Sequence, residues 1–319
     1  MAHVMVTGGA GFIAYHLIQS LLDDGHEVSA FDNYNHYYDV SLKIARANNL
    51  KKLGVDVDNF DLKDPKKLKR FVAHHKPDVV MHLAAYAGVR HSLEDPKTYI
   101  DNNITGTQNL IDACASVGVK SVVYASTSCT MAGNSLPWNE DEKTGYQLNP
   151  YGYSKFTNEC QFMSSTIKNA IGLRFFTVYG PWGRPDMALF TFTKNIVEGN
   201  PITLFNNGDM IRDFTYVDDI VQGIKIVINK CISDEESGQK EIYNIGYGSQ
   251  VPLMEFVDHI ETNLDRKAIK EFAPKHPADT QATWSDTTKL QKLGYKPTTP
   301  ISIGVEKFVN WYKGYYNVN

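Results

Sequence analysis

Tyr151 and Lys155 stand four residues apart in the stretch NPYGYSKFTNE, residues 149–159. On a helix, residues four apart share a face, so this phenol and this ammonium meet, whereas Tyr153 shares its phase with Thr157. A free tyrosine titrates near ~10 and is a poor base at neutral pH. A lysine ammonium beside it favours the phenolate and brings the pKa down. The chemistry to expect is removal of a proton from an alcohol. Spacing of this kind also occurs on ordinary solvated helix faces, so the company of the pair decides its meaning. Upstream, YASTSC at 124–129 closes an apolar run and supplies hydroxyls at Ser126, Thr127 and Ser128 that can bond the same substrate oxygen. In NNITGT, Asn103 is placed to anchor a water beside the lysine.

A partner for that base is suggested near the N-terminus. VTGGAGFIA follows one apolar run and opens an amphipathic stretch. Gly8 and Gly11 let the backbone turn tightly and approach a pyrophosphate seated on a helix N-terminus. Ala14 stands where a third glycine is usual, a position that requires only close helix–strand packing. Asp32 ends the next apolar run, and a carboxylate there accepts from an adenosine ribose and repels a 2′-phosphate, which favours NAD over NADP. A phenolate beside NAD⁺ can take a proton from a carbinol while the carbon gives hydride to the cofactor.

These groups need a rigid frame. Short apolar runs (HVMVTGG, EVSAFDN, DVVMHLAA, SVVYAST, IGLRFFTVYG) alternate with helix-like stretches at 12–24, 40–53, 65–74, 96–117 and 151–168. A further short strand is expected at 55–60. This alternation predicts an α/β fold, a doubly wound parallel sheet of Rossmann type. After Gly180 prolines punctuate shorter elements, which predicts a smaller C-terminal substrate-binding domain ending in a helix over 301–316. The expected division is 1–176 for the nucleotide-binding domain, with 214–246 returning to it, and 177–213 plus 247–319 for the second. In the returning segment Asp218 is a candidate N-cap, and DEESG at 234–238 reads as a solvated loop.

Composition excludes several classes. The net charge of −4 offers no global basic field for nucleic acid or an anionic membrane. The four cysteines are scattered, and no His/Cys cluster has metal-ligand spacing, so no metal is expected and a reducing cytoplasm is the natural setting. The opening residues lack a charged segment followed by a long apolar one, so no secretory leader is expected, and no apolar run approaches the ~20 residues that span a bilayer.

With these pieces placed, the chain resembles the extended short-chain dehydrogenase/reductases, in the NAD-dependent nucleotide-sugar epimerase/dehydratase group. TGGAGFIA, DNYNHYYDVSLKIAR, HLAAYAGVRHS, YASTS, YGYSK, GLRFFTVYGPWGRPDMA, RDFTYVDDI and LGYKPTTPISIGVEKFVNWY carry the likeness over nearly the whole chain. Within the group it looks most like the UDP-glucuronate 4-epimerases, on DNYN-YYDVSLK and GPWGRPDMA. The resemblance implies that Tyr151 is the base, Lys155 its partner and Thr127 the catalytic hydroxyl. Counting back from the loop's last glycine puts Ser128 there instead, because this loop is one residue longer. It implies a tightly bound NAD, regenerated each cycle, against Gly8, Gly11, Phe12, Ile13, Asp32 and Asn33. Asp61, Leu62, Leu83, Ala84, Ala85, Asn103, Tyr151 and Lys155 complete that set. A UDP-sugar would lie against Ser126, Thr127 and Ser128, with Thr177 and Arg184 facing the sugar. Arg212 would meet the diphosphate or uridine, and Asp279 a ribose hydroxyl. Arg184 is the expected partner of a C6 carboxylate, since guanidinium matches carboxylate geometry, with Arg90 as second candidate. A homodimer through the helices at 96–117 and 151–168 is also implied.

The implied reaction is C4 epimerisation of UDP-glucuronate to UDP-galacturonate. Tyr151 deprotonates the 4-hydroxyl, the transient 4-keto sugar turns over about its diphosphate tether, and hydride returns to the opposite face. That intermediate is a β-keto acid, so its carboxylate must be clamped out of alignment with the carbonyl π system to avoid loss of CO₂. Related dehydratases and decarboxylases carry a Glu two residues after the catalytic Thr; Cys129 stands there here, which disfavours dehydration or dedicated decarboxylation. The thiol also resembles the acid/base cysteine of a nucleotide-sugar 3,5-epimerase, but WGRPDMA lacks the second lysine that reaction needs, and a small buried thiol is the plainer reading. A 4-epimerase of neutral UDP-hexoses remains an alternative on the same fold. A non-catalytic NAD-binding sensor is the alternative of another class, and retention of both Tyr151 and Lys155 speaks against it.

Overall fold

Thirteen strands are arranged in one large and three small sheets in the computed structural model, which describes residues 1–234 and 237–318. They are β1 His3–Thr7, β2 Glu27–Asp32, β3 Val57–Asn59, β4 Val79–His82, β5 Ser121–Thr127, β6 Asn169–Phe175 and β7 Thr177–Tyr179. β8 Pro201–Phe205, β9 Ile211–Arg212, β10 Phe214–Tyr216, β11 Lys240–Ile245, β12 Val251–Pro252 and β13 Ile269–Ala273 follow. The large sheet has the order β11-β6-β5-β4-β1-β2-β3, and every pairing in it is parallel. β1 runs on to β2 and β3 on one side, then the chain crosses back to β4 on the other. A crevice opens at such a switch point, outside the carboxyl ends of the strands.

The apolar runs are continuous because both faces of the sheet are covered. Alternate residues of one strand point to opposite faces. Val4, Val6, Val79 and Met81 pack with Ile18, Leu21 and Ile224, from the helices Phe12–Asp23 and Val217–Ser233. Met5 and Val80 pack on the other side with Val72, Leu110 and Phe162, from the helices Pro65–His75, Gly106–Val117 and Pro150–Ser164. A separate aromatic core joins Tyr179, Phe190, Phe214, Phe256, Phe308 and Tyr312, with Phe214 stacked on Phe256 at 4.1 Å.

Several boundaries differ from the sequence reading for physical reasons. The run at 171–180 is two strands: the Phe176 amide donates to the Ile245 carbonyl, and Thr177 then leaves the large sheet to pair β7 with β10. The helix expected over 96–117 is interrupted by a π-helical stretch, Ile100–Thr105. The helix expected over 151–168 spans Pro150–Ser164, and the strand expected at 55–60 is Val57–Asn59. Asp218 is not an N-cap. The helix begins at Val217, and Asp218 and Asp219 both lie in its first turn, where they complement the helix dipole. Glu235 and Glu236 of the acidic run at 234–238 lie outside the described residues. No helix among the described residues is long and apolar enough to cross a membrane.

Candidate active site

The register of the helix Pro150–Ser164 is set at its first turn. Asn149 caps it by accepting from the Gly152 amide at 2.8 Å, and Pro150 occupies a position where no N–H is needed. Tyr151 and Lys155 then project on one face towards the end of β5. Thr127, the last residue of β5, lies beside the Tyr151 phenol and favours its ionised form, and its hydroxyl accepts from the Cys129 amide at 3.2 Å. Ser128 lines the same cleft one residue farther on. Of the two candidate hydroxyls, Thr127 is the one that acts on the tyrosine's ionisation.

The electrostatics depart from expectation. Burial pushes the Tyr151 phenol up to about 12, and Cys129 acts in the same direction; the Thr127 hydroxyl and the charge of Arg184 oppose them. Lys155 is pulled down to about 8 by burial, against the opposing charge of Glu159. Thr127 and Arg184 are the groups that favour the phenolate here, where the sequence reading named Lys155 together with the nicotinamide ring. Burial also raises Cys129, so its thiol is a protonated neighbour of the reacting groups.

The cleft above this pair has a volume of about 690 Å³. Gly8, Gly11, Phe12, Ile13, Asp32, Asn33, Asp61, Leu62, Leu83, Ala84 and Ala85 line one end. Arg90, Ser126, Ser128, Thr177, Arg184, Arg212 and Asp279 line the rest, with Thr127, Tyr151 and Lys155 between. Asn103 does not line it. Its side-chain amide donates to the Tyr86 carbonyl and to Ser154 and accepts from the Tyr86 amide, so it braces the loop after β4.

The glycine-rich end fits a dinucleotide. A side chain at Gly8 would put its Cβ 3.0 Å from the Ala84 backbone, and Gly8 has φ +71°; at Gly11 a Cβ would come within 2.8 Å of the Gly8 carbonyl. The first helix starts there with no side-chain cap and no acid in its first turn, which leaves its amides facing the cleft. Asp32 is buried at the end of β2 and accepts from the amides of Ala10 and Tyr34, at 3.2 and 2.8 Å. Among the described residues, no group of three or more His, Cys, Asp or Glu is placed to hold a metal ion.

At the other end the charges are paired. Arg184 is bound side-on by Asp186, with Nε–Oδ1 3.0 Å and Nη2–Oδ2 2.5 Å, and Tyr37 donates to the same carboxylate at 3.2 Å. Arg90 reaches across the cleft to Asp279 at 2.8 Å and lies over the Phe205 ring at 3.8 Å. Arg212 donates to the Ile211 and Gln281 carbonyls. Ser126 is buried and donates to Glu159 at 2.6 Å, so its proton points away from any substrate. Asp186, Tyr37 and Glu159 were not singled out from sequence. Glu159 had a signal, the spacing Tyr151, Lys155, Glu159 along one helix face; Asp186 and Tyr37 had only their places within GPWGRPDMA and DNYNHYYDV.

Residues 4–246 match the family model described as the NAD dependent epimerase/dehydratase family. The chain belongs to that family. Among relatives of this epimerase/dehydratase, the protein CapI of Staphylococcus aureus is 41% identical over 332 residues, covering 98% of this chain and 99% of that one. A UDP-glucuronate 4-epimerase of Thermodesulfobacterium geofontis is 40% identical over 326 residues, with 98% and 97% covered. Among solved structures, the UDP-glucuronic acid 4-epimerase of Bacillus cereus in complex with UDP-glucuronic acid and NAD superposes with TM-score 0.89. It is 32% identical, covering 98% of this epimerase/dehydratase and 100% of that chain.

Proposed function

We propose that the protein is an NAD-dependent isomerase that epimerises UDP-glucuronate to UDP-galacturonate at C4. The observation that carries this is the convergence of Thr127, Tyr151 and Lys155 on one cleft that also holds a glycine-rich dinucleotide cradle and the half-buried Arg184. NAD supplies, when bound, a reversible hydride acceptor. Gly8, Gly11 and the first helix would hold its diphosphate, and Asp32 its ribose. Tyr151 takes the 4-hydroxyl proton, relayed through the neighbouring Thr127 hydroxyl. Lys155 supports the phenolate and the cofactor ribose from the floor. Arg212 and Asp279 bind the nucleotide end, so the ketone can turn over while the diphosphate stays anchored.

Arg184 and Thr177 hold the uronate carboxylate, whereas Arg90, the second candidate from sequence, is paired with Asp279 at the nucleotide end. Asp186 engages the Nε edge of Arg184, so a substrate carboxylate either takes the remaining Nη1 or displaces Asp186. That resident pairing is also what favours the second reading, a 4-epimerase of neutral UDP-hexoses, in which Arg184 stays bound to Asp186 throughout.

The setting is proposed to be the cytoplasm, where the free thiols of Cys114, Cys129, Cys160 and Cys231 stay reduced. A homodimer is proposed through the helices Gly106–Val117 and Pro150–Ser164 and the π-helical stretch before the first of them. Ile100 and Met163 are exposed there, at 40% and 38%. The test of function is incubation of the purified protein with UDP-glucuronate and no added cofactor, followed by NMR of the sugar. UDP-galacturonate without CO₂ is expected. Conversion of UDP-glucose alone transfers the assignment to the neutral sugar, and accumulating NADH with a need for added NAD⁺ rejects an epimerase altogether.

A further inference from the structure

Glu159 lies four residues beyond Lys155 and is 3% exposed, so Tyr151, Lys155 and Glu159 form a single line along the helix Pro150–Ser164. Its carboxylate ties that helix to two strands. Oε1 accepts from the Ser126 hydroxyl of β5 at 2.6 Å and from Arg174 Nε of β6 at 2.9 Å, while Oε2 accepts from Arg174 Nη2 at 2.9 Å. Arg174 is itself buried, with Nη1 2.9 Å from the Met131 sulfur. The proposed reaction makes no direct use of this carboxylate.

A buried ion pair is weak evidence of stability, since well-packed apolar residues often serve as well. The placement of this one is what matters. Ser126 precedes Thr127, so the carboxylate bonds the strand at the residue next to the catalytic hydroxyl. Lys155 is 2% exposed, and the groups that could balance its charge are few. From β4 it faces His82, which burial pulls down to about 3 and which is bonded to Thr7 and Thr107, hence neutral. From β5 the Tyr124 phenol lies near Glu159 and is raised by burial, and from β6 comes Arg174, whose charge Glu159 offsets. On its own helix Lys155 has Tyr151 and Glu159.

We infer that Glu159 is a positioning residue for the epimerisation: it keeps the buried Lys155 ammonium charged and holds Thr127 of β5 in register with Tyr151. This rests on the epimerase reading above. Burial lowers Lys155 and Glu159 opposes that lowering, the sign this role requires.

The experiment measures Lys155 without turnover. Lysine-selective ¹⁵N spectra of the full chain report the protonation of each ammonium, and the Lys155 signal is assigned by its loss in Lys155→Arg. In Glu159→Gln the Lys155 midpoint should move to lower pH, on the order of one pH unit, and the alkaline limb of kcat should move with it. Because Arg174 would be left buried and unpaired, the double variant Glu159→Gln/Arg174→Met is measured too; it removes both charges and should retain the shift. An unmoved midpoint in both variants overturns the proposal, whatever happens to kcat. A midpoint that moves, in a protein whose wild type does not convert UDP-glucuronate, upholds the link to Lys155 and rejects the reaction instead.

Discussion

Arg184 and Asp186 form a two-point ion pair inside the cleft, two residues apart in sequence and bonded through Nε and Nη2 of the guanidinium. Asp186 is held below the usual carboxylate range: burial opposes this, but Arg184, with Tyr37 donating, outweighs it. The pair leaves one guanidinium edge for a substrate.

Removing that guanidinium should therefore separate the acidic substrate from the neutral one. Arg184→Met is expected to raise KM for UDP-glucuronate roughly 10–100-fold, the worth of a charge-assisted contact of about 1.5–3 kcal/mol. Activity on UDP-glucose should change little, and a pentose product with CO₂ should appear as the clamp fails. Steady-state kinetics and NMR of the products check this; equal losses on both sugars would show that Arg184 does not touch the carboxylate.

The two candidate hydroxyls should behave differently. Thr127→Val removes the hydroxyl beside Tyr151 and is expected to lower kcat by roughly 10²-fold or more with KM little changed. Ser128→Ala should stay within a few-fold of wild type. If Ser128→Ala proves the more damaging, the count from the end of the loop was the right one.

Tyr151→Phe should cost about 10²–10⁴ in kcat, the usual contribution of a positioned acid/base. The phenol is not part of the glycine-rich cradle, so bound NAD should persist, measured by absorbance after heat release from the purified variant. Loss of cofactor together with activity would mean that the residue mainly builds the binding site.

Glu261 offers a pH test away from the cleft. Its carboxylate accepts from Lys267 and Lys270, each at 2.7 Å, and from the Ala268 amide at 3.1 Å. Burial acts to raise it, but these bonds outweigh burial and hold it down to about 2. A carboxyl depressed on folding stabilises fully above its unfolded value, near ~4.3, and ever less as pH falls towards the folded one. Glu261→Gln should thus cost roughly 1–2 kcal/mol at pH 7, discounted because Lys267 is exposed, and the difference should vanish between about pH 5 and pH 2. Urea unfolding of both proteins across that range decides it; a constant difference would point to packing.

Much of the site could be read from local pattern. The order of strands and helices, the glycine turn at Gly8 and Gly11, the carboxylate at Asp32 and the shared face of Tyr151 and Lys155 all follow from periodicity and spacing within a few turns of chain. Such features depend on backbone sterics and on helix and strand repeats, which neighbours in sequence control. Boundaries failed where tertiary pairing intervened, as at Phe176, where the chain trades one sheet for another.

Partners across the cleft were a different matter. That Ser126 turns to Glu159, that Asn103 braces Tyr86, that Arg90 meets Asp279 across 189 positions, and that burial rather than Lys155 dominates the Tyr151 phenol are outcomes of packing. A side chain's sequence tells what it can donate, accept or ionise. Which of those capacities it spends, and on whom, is decided by the desolvated space that distant segments build around it.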